Sequence, residues 1–140
     1  MTTIAYRNGE LAGDGRVTSD DTIVSDRDRK VFKFSDGRLF TYSGDVDAGE
    51  KLKLAVQRHR DLPDLGDKVS AILVMPDGKV FSYESSLWVR DRSPFVSIGS
   101  GMQYAYGAME AGATAEAAVR IACKRHTHTG GLVRVVRLSK

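Results

Sequence analysis

The chain reads as an α+β protein, with strands gathered into antiparallel hairpins and helices gathered into blocks. Three observations carry that reading. Tight-turn dipeptides such as Asn8-Gly9 join short β-prone runs. Past Ser43 the apolar residues switch from a spacing of two to spacings of three and four. No regular strand–helix–strand alternation appears anywhere along the chain.

The elements follow in order. Residues 3–7 are β-prone, and Asn8-Gly9 turns them, because both central positions of a two-residue hairpin loop need positive φ. Residues 10–14 return, and Gly13, Asp14 and Gly15 punctuate their end. Residues 30–34 alternate with period two, Ser35-Asp36-Gly37 turns them, and residues 38–42 form the second arm. Ala48, Leu52, Ala55 and Val56 then mark an amphipathic helix to about His59, capped in the Asp45 region and closed by Pro63 and Gly66. Residues 70–75 and 79–84 make a third hairpin around Pro76-Asp77-Gly78. Val96-Ser97-Ile98 leads through Gly99-Ser100-Gly101 into a helix carrying Met102, Ala105, Tyr106 and Met109. Gly112 breaks that helix and Thr114 caps the next, with a buried stripe expected at Ala117, Ala118, Ile121 and Ala122. Residues 132–138 form the last strand, and residues 85–92 read as a loop.

Composition bounds the class. A length of 140 residues predicts one domain, 1–140, and 41% hydrophobic residues suffice for a core. Disorder is excluded as the default, since low hydrophobicity with high net charge is absent. The apolar run 71–75 is far shorter than the ~20 residues that span a bilayer, and no basic-then-apolar secretory start is visible. The single cysteine, Cys123, forms no internal disulfide, which suits a reducing, cytoplasmic setting. The 21 Lys+Arg and 18 Asp+Glu are interspersed, and the basic face Lys51, Lys53, Arg58, Arg60 lacks interleaved aromatics, so nucleic acid is not indicated.

The residue types that carry chemistry begin with Thr2. A small side chain after Met1 permits removal of the initiator, which would leave a hydroxyl and a free α-amine on one residue. A hydroxyl needs a base beside it, and an α-amine with a reference pKa of about 7.7–8.0 is one. Asp14 lies at the end of the strand expected to pair with the N-terminal strand, and Lys30 opens the next one. A Lys–Asp pair beside the hydroxyl would favour its alkoxide. Gly99-Ser100-Gly101, opening a helix, offers a hydroxyl and free N–H groups. Each has a bland alternative: a processed terminus, a turn residue, a solvated strand end, a simple helix start. His126-Thr127-His128 has only His59 as a further imidazole and no ligand-spaced carboxylates, so no metal site is expected. Cys123 reads as core, and Trp88 as a core or subunit-contact anchor.

Taken in order, Thr2-Thr3-Ile4, Gly13-Asp14-Gly15, Arg29-Lys30-Val31, Ser43-Gly44-Asp45 and Ile98-Gly99-Ser100-Gly101 resemble the proteasome β-type N-terminal-nucleophile hydrolases, HslV peptidases in particular. The resemblance implies a four-layer αββα sandwich and peptide hydrolysis through an acyl-enzyme on Thr2, with no cofactor. It implies Lys30 as the charge that tunes Thr2, Asp14 as its partner, Ser100 as a hydrogen-bonding helper and the Gly44 N–H as oxyanion donor. Asp28, Tyr42 and Val46 would then border the substrate pocket. A homo-oligomeric ring and an ATP-dependent unfolding partner are implied in the same way, with polypeptides as substrates and neither nucleic acid nor membrane as a partner. Two departures stand out. The second long helix usual in that family has no room between His59 and Ser70, and His126 stands where many members carry an Asp, with Thr129 in place of a Ser. An inactive structural or regulatory subunit and an amidohydrolase on small amides are the alternatives.

Overall fold

The computed structural model describes residues 2–139. Two antiparallel sheets stack face to face. In the first, β10 (Phe95–Ile98), β1 (Ile4–Arg7), β2 (Glu10–Gly13) and β11 (Arg134–Arg137) lie side by side in that order. In the second the order is β5 (Val31–Lys33), β6 (Leu39–Gly44), β7 (Val69–Val74), β8 (Val80–Glu84) and β9 (Leu87–Asp91). Helices α2 (Met102–Glu110) and α3 (Ala115–Arg125) cover the outer face of the first sheet, and α1 (Val46–Gln57) covers that of the second. The result is a four-layer αββα sandwich.

Side-chain alternation on the strands explains why three separate cores form. Ile4 and Tyr6 of β1 and Leu11 of β2 point between the sheets, where they meet Val31, Leu39, Ile72, Val74 and Val80. Their neighbours Ala5 and Ala12 point the other way, onto Ala105, Met109, Ala118 and Val119 of the paired helices. The small alanines let those helices sit close to the sheet. Phe40, Ala71 and Tyr83 on the far side of the second sheet receive Ala48, Leu52 and Val56 of α1. Asp45 caps α1 by accepting from the Ala48 N–H at 2.8 Å, as the sequence expects.

Five features differ from the sequence reading. Residues 85–92 are not a loop: Ser85 and Ser86, both at positive φ, form a tight turn and β9 pairs with β8. A hairpin of β3 (Val17–Ser19) and β4 (Thr22–Ser25), which no turn dipeptide announces, lies between β2 and β5. Helix α1 ends at Gln57, before Pro63 and Gly66 act, because His59 adopts a left-handed conformation (φ +53°). On α3 the buried stripe is Ala115, Ala118, Val119 and Ala122, so Ala117 is only half-buried and Ile121 is exposed. Strand β5 begins at Val31, one residue after Lys30.

Where a second helix has no room, residues 58–68 stay irregular. Leu65 packs against the α1 core, and the segment is pinned to the Ser85-Ser86 turn through Gly66 N–H to Ser86 Oγ (3.1 Å), Ser86 to Asp64 (3.0 Å) and Ser85 to Asp67 (2.8 Å). No helix of the described residues is long and apolar enough to cross a membrane.

Candidate active site

Asp14 ends β2 with its carboxylate turned inward, 1% exposed. Four donors meet it. Oδ1 accepts from the Thr3 N–H at 3.1 Å and from Lys30 Nζ at 2.9 Å; Oδ2 accepts from the Gly130 N–H at 3.1 Å and the Arg16 N–H at 3.3 Å. A buried carboxylate is stable only when its lone pairs are filled in this way. Lys30 is held as firmly. Its ammonium also donates to the Arg16 carbonyl at 2.6 Å, and its own carbonyl accepts from the buried Thr41 hydroxyl at 2.6 Å. Of the two sequence readings of Lys30, the solvated strand end does not hold: the ammonium is buried against Asp14, the partner the resemblance implies.

In front of Lys30 a cleft of about 100 Å³ opens at the end of the sandwich. Thr2, Asp28, Lys30, Tyr42, Gly44 and Val46 all line it, together with Arg16, Val17, Arg29 and Ser43. Thr2 is half-buried, and its carbonyl accepts from the Gly101 N–H at 3.2 Å, which fixes the start of β1 against the α2 end. Removal of Met1 concerns a residue outside those described. Gly44, at φ +121°, sits against the Lys68 carbonyl so tightly that a Cβ there would collide with it, so the backbone meets the cleft with no side chain in the way. Asp28 is exposed at the rim, its N–H donating to the Gly15 carbonyl at 3.0 Å and its carbonyl accepting from Arg134 at 2.6 Å. Val46 is largely exposed at the first turn of α1.

Tyr42 is the largest side chain of the cleft. Its hydroxyl donates to Glu50 Oε2 at 2.7 Å, while Lys53 engages Oε1 at 3.0 Å. Burial first, and then the bond to Glu50 with the charges of Glu50, Asp28 and Asp45, hold its phenol well above the ordinary tyrosine value. The ring lies where Gly49 of α1 has no side chain; a Cβ there would run into it.

Ser100 is not among the cleft-lining residues. It is exposed in the turn before α2, and the neighbouring Gly101 N–H is taken by Thr2 rather than free. Behind that turn runs a chain of hydroxyls that no sequence pattern announces. Thr3 Oγ1 and Thr129 Oγ1 lie 2.7 Å apart, both fully buried, and Thr129 Oγ1 lies 2.6 Å from His126 Nδ1. Gly101 closes over all three, since a Cβ there would strike them. Among the described residues no cluster of three or more metal-ligating side chains forms around His126 and His128.

His126 is pushed below the ordinary histidine value, by burial first and by His128 second, with Asp14 acting against both. The unfolded chain therefore takes up this proton at higher pH than the folded one, so stability should fall as pH drops through about 6.5 toward the folded value. Melting curves at pH 7.5 and 5.5 check this: His126→Asn should show a smaller drop than the unaltered protein.

Sequence reasoning missed Arg16, although it directly follows Gly13-Asp14-Gly15. Its guanidinium pairs with Asp26 at 2.8 Å, above Gly130, where a Cβ would meet it. It missed Glu50 as well, since nothing along the chain ties a helix carboxylate to Tyr42.

The architecture is one already seen in solved structures. The eukaryotic HslV from Trypanosoma brucei superposes with a TM-score of 0.73 at 17% identity, covering 99% of each chain. The Thiobacillus denitrificans BPH in complex with epoxomicin gives a TM-score of 0.69 at 21% identity over 99% of each chain. A second structure of that BPH gives 0.67 at 20% over 99% of this chain and 98% of the other. No family model and no curated protein matches the sequence. The shared feature is the fold, and it extends over the whole chain.

Proposed function

We propose that the protein is a threonine peptidase whose nucleophile is Thr2, exposed as the first residue by removal of Met1. One observation carries the reading: Thr2, Gly44 and Lys30, whose ammonium pairs with Asp14, line a single cleft. The α-amine of Thr2 takes the proton of its own hydroxyl as Oγ1 attacks a peptide carbonyl. Lys30 favours the developing alkoxide, and Asp14 keeps that ammonium charged and in place. The tetrahedral oxyanion forms against the Gly44 N–H. As the C–N bond breaks, the amine proton passes to the leaving nitrogen, leaving an ester on Thr2. Water, deprotonated by the same amine, hydrolyses the ester and restores the hydroxyl.

Polypeptides are the proposed substrates. The assembly proposed with this reading is a cytoplasmic homo-oligomer served by an ATP-dependent unfolding partner; the likeness to the trypanosomal HslV supports the self-assembly alone. The irregular segment 58–68 favours a second reading, an inactive subunit of the same fold that no longer builds a full ring.

Intact-mass spectrometry separates the two. Incubation with a peptide vinyl sulfone, a β-lactone or epoxomicin, with which the Thiobacillus BPH was solved, should add one inhibitor mass to a chain beginning at Thr2. The N-terminal peptide should carry it. Retained Met1 with no adduct, or an adduct elsewhere, overturns the peptidase reading.

A further inference from the structure

We propose that Tyr42 is a tethered plug: it restricts the cleft to small, uncharged peptide side chains and masks a carboxylate, Glu50, that would otherwise receive a cationic one. The inference takes its ligand class, peptides, from the reading above.

The plug is built from behind. Tyr42 lies on β6 and Gly49 and Glu50 on α1, so the ring is gripped between a sheet and the helix that covers it. Gly49 is buried inside α1, where any side chain would occupy the volume of the ring. Glycine weakens a helix interior relative to alanine, so its presence is explained here by room for the ring. At the far end Glu50 Oε2 accepts the phenolic hydrogen at 2.7 Å. Ring packing and tether together leave the plug one position.

Charged groups line the cleft. Arg16 and Lys30 are paired with Asp26 and Asp14, and Arg29 lines it with Thr2. Near Tyr42 stand the carboxylates of Glu50, Asp28 and Asp45, with Lys53 paired to Glu50. An acidic substrate side chain directed at Tyr42 meets three carboxylates against one ammonium and is disfavoured. A basic one is attracted to the same place, yet the phenol already occupies Glu50 Oε2. A small uncharged side chain meets neither obstacle. Taking the ring away leaves Oε2 without its donor and facing the vacated space, while Lys53 still holds Oε1. A guanidinium or ammonium then completes the carboxylate by a charge-assisted hydrogen bond, among the stronger kinds available.

The test measures binding, so it does not depend on turnover. Fluorescein-labelled tetrapeptides differing only in the last residue (Ala, Leu, Arg or Glu) are titrated by fluorescence polarisation against the full chain carrying Thr2→Ala. In that background Ala should bind more tightly than Arg or Glu. Adding Tyr42→Gly should tighten the Arg peptide at least tenfold, and further adding Glu50→Gln should remove that gain. Tyr42→Phe keeps the ring but frees Oε2, so the Arg peptide should gain less than it does in Tyr42→Gly. Gly49→Ala presses on the plug from the helix side without substituting Tyr42, and keeps the idea testable if the cavity variant does not fold. It drives the ring into the cleft and should weaken the Leu peptide at least fivefold relative to the Ala peptide. An Arg peptide that gains nothing from Tyr42→Gly, a gain that survives Glu50→Gln, or an unchanged Leu-to-Ala ratio in Gly49→Ala overturns the inference. Failure of the peptidase reading shows separately, as absence of an adduct on Thr2 in the unaltered protein.

Discussion

Thr2→Ala should reduce peptide hydrolysis on the order of 10⁴-fold or more, because it deletes the attacking atom while leaving the binding surface intact. The fold should barely notice. What ties Thr2 to the body is its carbonyl, held by the Gly101 N–H, and that bond belongs to the backbone. A half-buried side chain with no core role is worth roughly 0.5 kcal/mol, so the melting temperature should move by about 2 °C or less. Thr2→Ser keeps both hydroxyl and amine and should retain measurable turnover. Initial rates on an unfolded polypeptide, with melting curves alongside, decide the matter. Normal hydrolysis by Thr2→Ala would remove this residue from the chemistry.

Lys30→Met should be damaging in two ways at once. The methionine replaces most of the aliphatic stem but leaves the Asp14 carboxylate buried without its cation. Removing one partner of a buried pair costs about 3–5 kcal/mol. For a chain of this size that corresponds to a melting temperature lower by roughly 10 °C or more. Turnover should fall on the order of 10²–10³-fold even at temperatures where the variant is folded, the usual loss when one preorganised electrostatic contact is deleted. Rates measured well below the transition separate the two effects. A folded Lys30→Met with unaltered rates would make this ammonium a purely structural charge.

The parts of the site that lie on short local patterns were legible before any coordinates. Asn8-Gly9 announced a hairpin, and the hairpin returned Asp14 to the start of the chain; Lys30 stands one residue before β5 in the other sheet, so its meeting with Asp14 comes from the stacking of the two sheets. The β3–β4 hairpin was hidden because its turn is Asp20-Asp21 and its apolar pair, Ile23 and Val24, faces outward, which erases the inside–outside contrast. Ser85-Ser86 takes a turn conformation usually filled by Asn-Gly, so β9 passed for a loop. The stripe on α3 was misplaced because alanines at 115, 117, 118 and 122 look alike to a periodicity argument; Val119 and Ile121 decide the rotation, and only packing says which is inside. Ser100 matched a motif, and it stands exposed in the turn whose next N–H, that of Gly101, holds the Thr2 carbonyl. The Thr3–Thr129–His126 chain links residues more than 120 positions apart. No spacing rule reaches that far.

The carboxylate of Asp14 has a further consequence. It gathers Thr3 just before the first strand, Arg16 after the second, Lys30 at the edge of the second sheet and Gly130 before the closing strand into one knot. Those pieces come from both extremes of the polypeptide, so the knot is tied only when the last of them has arrived. A chain still emerging from synthesis lacks Gly130 and cannot finish it. If the chain is the peptidase proposed above, the carboxylate that anchors its ammonium is fully satisfied only once that last contact forms.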